Sequence, residues 1–352
     1  MKTLSATKLY TLAFGLFLGL CVWKFGNPVI LDHKIFPPNS PSEFLNQPWP
    51  LHWANWILLP LAVTGAILML SAKTGGAPTR RDKIPGEPHQ SKSRDGSRGR
   101  SPHQRWLWLL PCIWLGWQFI SAGKTVDADL TGATLWQFCG CVGCYFLGAL
   151  LFARHELRCW LLPGLLAALA FCLVRGIDQR LFEYPEAAQM LTEGEHTGWT
   201  NFPPATIAQM RLDSIIITTN GVDVANPVVL QKFQKGRVAG TLVYPNALAG
   251  LILLLWPVSL ALVFGRTKNL RPPVRYAAMG LTVFLGGMAF YWSGSKLGWL
   301  IGLGIVGLYL LRLNWPRKLK LATVGLVMIA GLSVFAVRFH QCPGNSSWRR
   351  WD

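Results

Sequence analysis

Charged residues are scarce in this sequence, and acidic ones are fewest. Only 14% of the 352 residues are charged, with 16 Asp and Glu against 34 Lys and Arg, whereas 51% are hydrophobic. This composition excludes a single water-soluble core, because the chain has too much apolar sequence for one. The apolar residues also lie in long runs, which is typical of a membrane protein.

Two further absences narrow the class of membrane protein. The runs lack the alternation of a transmembrane barrel, so the spanning segments are predicted to be helices, in which every backbone group is paired. The first run follows Lys2 and Lys8, and the residues after it are Trp23-Lys24-Phe25 rather than a small-x-small cleavage site. An uncleaved membrane anchor is therefore favoured over a signal peptide.

The cysteines do not form a disulfide framework either. Most of the eight cysteines lie inside the hydrophobic runs, where Cys behaves as a small apolar residue. Cys139, Cys141 and Cys144 are close enough to suggest a metal site, but there is no second cluster and no compensating charge in lipid. We expect no metal and no cofactor.

Nine runs are nearly free of charge, and each is close to the length that crosses about 30 Å of hydrocarbon as a helix. The sequence thus predicts an all-α, polytopic bundle of about nine transmembrane helices. Its expected parts are helices 1–2 (1–71), a disordered basic loop (72–105), helices 3–5 (106–175), a long periplasmic loop (176–244), helices 6–9 (245–337) and a divergent tail (338–352). The nine runs are 9–23, 53–70, 106–120, 135–152, 160–174, 247–264, 277–291, 297–311 and 321–337.

Basic residues predict the orientation, since short loops rich in Lys and Arg stay in the cytoplasm. Loop 72–105 holds nine basic residues against three acidic ones, and the other inner loops of a nine-helix chain with a cytoplasmic amino terminus are basic too. We therefore expect a multi-pass membrane protein whose amino terminus is cytoplasmic. Topology explains most of the net charge of +18, so no nucleic-acid partner is needed, and the lipid bilayer is the expected partner.

The end of the long loop holds the first candidate site. Residues 234–250 run from Gln234 into the sixth predicted helix, with Pro245 in its first turn. The positive end of that helix and the guanidinium fork of Arg237 together suit a phosphate. An alternative is that Arg237 only extends to the membrane interface and that Gly240 and Pro245 only shape a turn.

A second candidate site lies between predicted helices seven and eight. The turn Ser293-Gly294-Ser295-Lys296 puts a cation and two hydroxyls at another helix amino terminus. Gly294, Gly298 and Gly302 recur every four residues, which allows close helix packing. Packing explains the glycines, but it does not explain Lys296 on the outer side, where basic residues are few.

These motifs resemble a known family. Arg237-x-x-Gly240-Thr241-x-x-x-Pro245-Asn246 before a hydrophobic helix is similar to the Arg-x-x-Gly, Pro-Asn motif of the O-antigen ligase and O-antigen polymerase superfamily. The turn Ser293 to Trp299 resembles the family's second motif, commonly Ser-Arg-Gly, with Lys296 where Arg is usual. The resemblance covers roughly residues 9–338.

The resemblance implies an inverting, metal-independent transfer of a glycan from undecaprenyl pyrophosphate to lipid A-core or to another lipid-linked glycan. Arg237 would be the catalytic residue that binds the pyrophosphate and offsets charge on the leaving group, with Lys296 as a second cation. The implied substrate-binding residues are Arg237, Gly240, Thr241, Pro245, Asn246, Ser293, Ser295 and Lys296.

The sequence leaves several alternatives open. The family places a large periplasmic loop with a His, and more helices, beyond the ninth helix. We therefore expect this chain to be incomplete through a frameshift, a fragment or a split gene, and to have little or no transferase activity alone. The competing interpretations are a transporter or flippase for lipid-linked sugar and a membrane protein without chemistry, and ligase is not separated from polymerase.

Overall fold

A computed structural model describes residues 5–74, 102–219 and 221–340, and within them the chain is mostly helical. A short 3-10 helix covers Val29–Lys34 and a π-helical segment covers Gln179–Glu183. The other elements are α1 (Ala6–Lys24), α2 (Pro41–Asn46), α3 (Leu51–Thr74), α4 (Pro102–Ala122), α5 (Ala128–Phe152), α6 (His155–Asp178), α7 (Tyr184–Thr197), α8 (Pro204–Leu212), β1 (Ile216–Thr219), β2 (Val222–Ala225), α9 (Pro227–Lys235), α10 (Pro245–Thr267), α11 (Pro272–Ser293), α12 (Lys296–Arg312) and α13 (Arg317–His340).

Each of the nine predicted runs lies within one helix, namely α1, α3 to α6 and α10 to α13. Seven helices among the described residues are long and apolar enough to cross a membrane. Of the remaining two helices, α12 has 17 residues, and α4 has the shorter apolar stretch Leu109–Ala122 among the residues whose side chains the structure describes. The protein is therefore a helical, multi-pass membrane protein, while the count of nine spans and their direction stay predictions.

The predicted loops differ in extent from the observed ones. The edges of loop 72–105 are helical, since α3 continues to Thr74 and α4 begins at Pro102, and residues 75–101 lie outside the described part of the chain. The predicted tail 338–352 begins inside α13, and residues 341–352 lie outside the described part.

The chain divides into two units, Met1–Ala168 and Leu169–Asp352. In the first unit, aromatic residues of α1 pack against α3, α5 and the first half of α6 to form a core. Three glycines bring α1 and α6 into backbone contact: a Cβ on Gly15 or on Gly164 would collide with the other helix, and so would one on Gly19. Gly15 and Gly19 have the four-residue spacing that allows such an approach between helices in lipid.

Lys24, at the end of α1, is buried in the first unit rather than free in solvent. It is 1% exposed. Its Nζ donates hydrogen bonds to the carbonyl oxygens of Leu45 at 2.5 Å and Gln47 at 3.0 Å, and lies 4.6 Å from the centre of the Trp23 ring. The ammonium group of Lys24 can be buried because two carbonyl oxygens and an aromatic face replace the water that it loses. These contacts also hold the segment after α1 against the end of the helix.

In the second unit, α10 packs against α11, and α12 packs against α13. Trp256 of α10 fills the space beside Gly286 of α11, where a Cβ would collide with the indole, and its Nε1 donates to Thr282 O at 3.0 Å. Gly331 of α13 gives room to Leu303 of α12 in the same way. Small residues thus bring these helices close together, as is typical of helix contacts in membranes.

Residues 184–235 of the second unit form a small subdomain with its own core. Leu191, Trp199, Ile216 and Ala225 are buried at its centre. Two of its elements are the short helices α7 and α8, each with a proline in its first turn. The antiparallel hairpin β1–β2 and helix α9 were not predicted, so this stretch is more structured than a loop and not wholly helical.

A polar contact fixes the hairpin to α8. Arg211 forms an ion pair with Asp223, and Thr218 Oγ1 donates to Asp223 Oδ1 at 2.7 Å. These hydrogen bonds, first that from Arg211, lower the pKa of the Asp223 carboxyl. The backbone carbonyl of Asp223 accepts the indole N–H of Trp199 at 2.9 Å, so one residue joins the hairpin to the end of α7 and to α8.

Candidate functional site

Three helix ends meet at one end of the group α10, α11 and α12. Helix α11 ends at Ser293, Gly294 follows in the left-handed conformation with φ of 58°, and α12 starts at Lys296. A Cβ on Gly298 would lie 3.0 Å from the Ala249 side chain, so the first turns of α10 and α12 are in contact. The amino termini of α10 and α12 therefore share one end with the carboxyl terminus of α11.

Arg237 connects the two predicted motifs. Its Nε donates to the carbonyl oxygen of Ser293 at 3.1 Å, and its Nη2 donates to Asn246 Oδ1 at 3.3 Å. Besides adopting the left-handed conformation, Gly294 gives room to Arg237, since a Cβ on Gly294 would lie 3.1 Å from Arg237 Nε. The side chain stays exposed. The structure thus brings together sequence stretches that were interpreted as separate sites.

The chain next to Arg237 is fixed by backbone contacts. Val238 is fully buried, and its N–H donates to the carbonyl oxygen of Trp292 at 3.2 Å. The last carbonyls of a helix have no partner within the helix, and here the N–H of Val238 and the Arg237 guanidinium satisfy two of them at the end of α11. The base of the Arg237 side chain is consequently held in place.

Gln179 anchors the same loop from the other side. Its Oε1 accepts the N–H groups of Ala239 at 3.2 Å and Gly240 at 2.9 Å, and its Nε2 donates to the carbonyl oxygen of Gly240 at 2.9 Å. One amide side chain thereby satisfies three backbone groups of a largely buried loop, which would be costly to leave unpaired.

Gly240 and Thr241 complete the frame. Gly240 has φ of 65°, and a Cβ there would lie 2.8 Å from the carbonyl oxygen of Cys172 on α6. Thr241 Oγ1 lies 2.8 Å from the Sγ of Cys172, which is fully buried. Only glycine combines this backbone conformation with so close an approach. Gly240 therefore shapes the loop rather than presenting a side chain.

We expect Gln179→Leu to loosen this loop. The substitution keeps the volume of the side chain but removes three hydrogen bonds to buried backbone groups, at a cost of about 1 to 3 kcal/mol for each group left unpaired. The melting temperature of the purified protein should fall, and limited proteolysis should cut near residues 237–241 sooner than in the wild type.

The matched control is Gln189→Leu, because Gln189 is exposed on α7 and bonds only to Glu193 among the described residues. Equal melting temperatures for the wild type and both variants would contradict the anchoring role of Gln179.

The other predicted site residues have different surroundings. Ser293 and Ser295 are 0% and 2% exposed: Ser293 Oγ donates to Phe290 O at 2.7 Å, and Ser295 Oγ accepts the N–H of Gly298 at 3.1 Å. Their hydroxyls thus form the turn and the cap of α12, and direct contact with a ligand stays a prediction. Asn246 and Lys296 are exposed, and Pro245 is half-buried at the start of α10.

The electrostatics of this end favour an anion. Tyr244 gives α10 no side-chain cap, so the first N–H groups of α10 have no capping side chain. The positive end of the helix dipole therefore adds to the charge of Arg237. Lys296, in the first turn of α12, adds a second positive charge on the same side. In residues 5–74, 102–219 and 221–340, no group of three or more His, Cys, Asp or Glu is placed to hold a metal.

Comparison with known protein families, curated proteins and solved structures finds no match. The geometry of the site and the motif resemblance therefore carry the functional argument.

Sequence reasoning missed the contribution of α6 and of the π-helical segment. Gln179 and Cys172 hold the Arg237 loop, yet they precede the residues they contact in it by 60 to 69 positions. The available signal was a group of polar residues soon after the apolar run 160–174, namely Arg175, Asp178, Gln179 and Arg180. Because the predicted helix ended at 174, Gln179 was placed in a loop and given no role.

Proposed function

We propose that this protein is a membrane glycosyltransferase of the O-antigen ligase type, which binds a glycan linked to undecaprenyl pyrophosphate at the periplasmic face of the bacterial inner membrane. The observation that supports it best is the position of Arg237, whose guanidinium joins the Arg-x-x-Gly, Pro-Asn segment to the turn at Ser293. Both segments of the motif resemblance thus form one site. The acceptor is lipid A-core or another lipid-linked glycan.

The chemistry requires a place for the leaving pyrophosphate. An acceptor hydroxyl attacks the anomeric carbon and gives up its proton to water. The bond from that carbon to the pyrophosphate oxygen breaks, and negative charge develops on the departing diphosphate. Arg237 uses Nε and Nη2 in its two hydrogen bonds within the protein, so Nη1 makes no hydrogen bond to a described residue. That nitrogen would bind the departing oxygen and stabilise its charge without a metal.

The fixed loop makes Arg237 suitable for this role. Its neighbours Val238 and Gly240 are buried and hydrogen-bonded, so the guanidinium is positioned before the substrate arrives. Donors placed in advance avoid the cost of reorganisation when charge develops in the reaction. An arginine that merely reached toward the interface would not need these anchored neighbours.

A binding experiment distinguishes this function from transport. The purified protein, reconstituted in lipid vesicles, is incubated with a fluorescent glycan linked to undecaprenyl pyrophosphate. We expect saturable binding that undecaprenyl pyrophosphate competes away and that undecaprenol, which lacks the diphosphate, does not. Movement of the intact donor between the two leaflets would instead identify a flippase, and absence of diphosphate-dependent binding would refute the proposal.

A further inference from the structure

Helices α6 and α7 form one continuous helix through the π-helical segment Gln179–Glu183. A π turn inside an α-helix is uncommon and is frequently found at functional sites. Gln179, at its start, already holds the loop that carries Arg237. The next residue is Arg180, to which neither the motifs nor the proposed function assigns a role.

Arg180 is not paired directly with the carboxylates nearest to it along the chain. The two nearest carboxylates along the chain pair with another residue, since Arg175 forms ion pairs with Asp178 and with Glu183, the latter at 2.8 Å. Within residues 5–74, 102–219 and 221–340, Arg180 has no hydrogen-bond or ion-pair partner. The side chain is nevertheless half-buried. Arg175 and the two carboxylates together carry one excess negative charge, so Arg180 is compensated at longer range. Its N–H donors are nevertheless left for an anion to bind.

The position of this guanidinium is set by Gly236. Helix α9 ends at Gly236, which has φ of 57°, and a Cβ on this glycine would collide with Arg180 Nη1. The guanidinium of Arg180 thus lies directly against the backbone of the residue that precedes Arg237. Arg180 is therefore next to Gly236 in space, and Arg237 is next to it in the chain.

We infer that Arg180 and Arg237 form a two-point receptor for a diphosphate, with one guanidinium for each phosphoryl group. A guanidinium binds phosphate oxygens through two parallel hydrogen bonds, so two of them match the two phosphates of a diphosphate better than one does. This inference rests on the proposed function and extends it: Arg180 is a substrate-binding residue supplied by the π segment. A purely structural role is the competing explanation, because the carboxyl end of α9 also attracts a cation.

The test uses inorganic pyrophosphate and orthophosphate as probes, titrated calorimetrically into the purified full-length protein in detergent. We expect Arg180→Gln to weaken pyrophosphate binding on the order of tenfold, with a smaller effect on orthophosphate, which needs only one guanidinium. Arg180→Lys, which keeps the charge without the fork, should lie between. Lys232→Gln is the matched control, since it removes one exposed charge from the last turn of α9 and should change neither affinity.

The outcomes separate the two proposals. If Arg180→Gln binds pyrophosphate as the wild type does while Arg237→Ala does not, the two-point receptor is refuted and the proposed function stands. If neither variant alters binding, both fail. Should Arg180→Gln not fold, as shown by its melting curve without ligand, Arg180→Lys decides by the same comparison. Undecaprenyl pyrophosphate in nanodiscs, titrated in parallel, should bind more tightly than pyrophosphate if the ligand is lipid-linked.

Discussion

Replacing Arg237 by alanine is expected to reduce the affinity for undecaprenyl pyrophosphate on the order of 100-fold. A hydrogen bond to a charged group contributes about 1.5 to 3 kcal/mol, and each 1.4 kcal/mol is about tenfold in affinity. The variant loses the donor that we propose binds the diphosphate, and it also loses the contacts of Arg237 to Ser293 and Asn246. Equilibrium binding in nanodiscs measures the loss.

Two companion variants make the Arg237 result specific. Arg237→Lys keeps a positive charge but cannot reach Ser293 and Asn246 at once, so it should recover only part of the affinity. Lys235→Ala removes an exposed charge two residues away and should bind as the wild type does. If the Lys235 and Arg237 variants weaken binding equally, the effect comes from general electrostatics, and the assigned role of Arg237 is wrong.

Replacing Gly164 by leucine is expected to prevent the first unit from folding. A Cβ at this position would collide with the backbone of Gly15 and Leu16, and backbone atoms cannot rotate aside as a side chain can. Overpacking typically costs about 1 to 3 kcal/mol and occasionally more, and contact with a helix backbone puts this site at the upper end. Size-exclusion chromatography of a fluorescent fusion should show aggregate in place of a single peak.

Gly148→Leu is the control for the Gly164 substitution. Gly148 lies on α5 in the same unit, and a Cβ there would meet no atom within 4 Å. Both substitutions add the same apolar side chain to a membrane helix, so the control should retain the single peak. A normal profile for Gly164→Leu would show that α1 and α6 are not in backbone contact.

The helices could be predicted from the sequence because the hydrophobic runs report directly on the solvent of each segment. All nine runs lie within helices, and the errors are at the ends, where α6 continues past 174 and α3 continues to Thr74. The ends of the helices cannot be predicted from the hydrophobic runs alone. A helix extends beyond its apolar run wherever tertiary contacts stabilise the additional turns. The hairpin and α9 were not predicted for a related reason: they are stabilised by packing against the core around Trp199, which no local pattern shows.

The candidate site was only partly predictable. Arg237 and the turn at Ser293 each carry a local signal, a cation near a helix amino terminus, and both were identified. Their contact depends on the packing of α10 against α11 and α12, which no local pattern specifies. Gln179 acts on residues about 60 positions later, and the π-helical turn that presents it has no recognised sequence signature.

The π turn also ties the site to the exact length of the chain between α6 and α7. A π turn holds one more residue than the α turn it replaces, so the loss of a single residue there would let the helix run on with regular geometry. The part of the chain that follows the deletion would rotate by about 100° around the helix axis relative to the part that precedes it. A one-residue deletion in this segment would therefore misalign Gln179 and Arg180 with the 184–235 subdomain while leaving every apolar span intact.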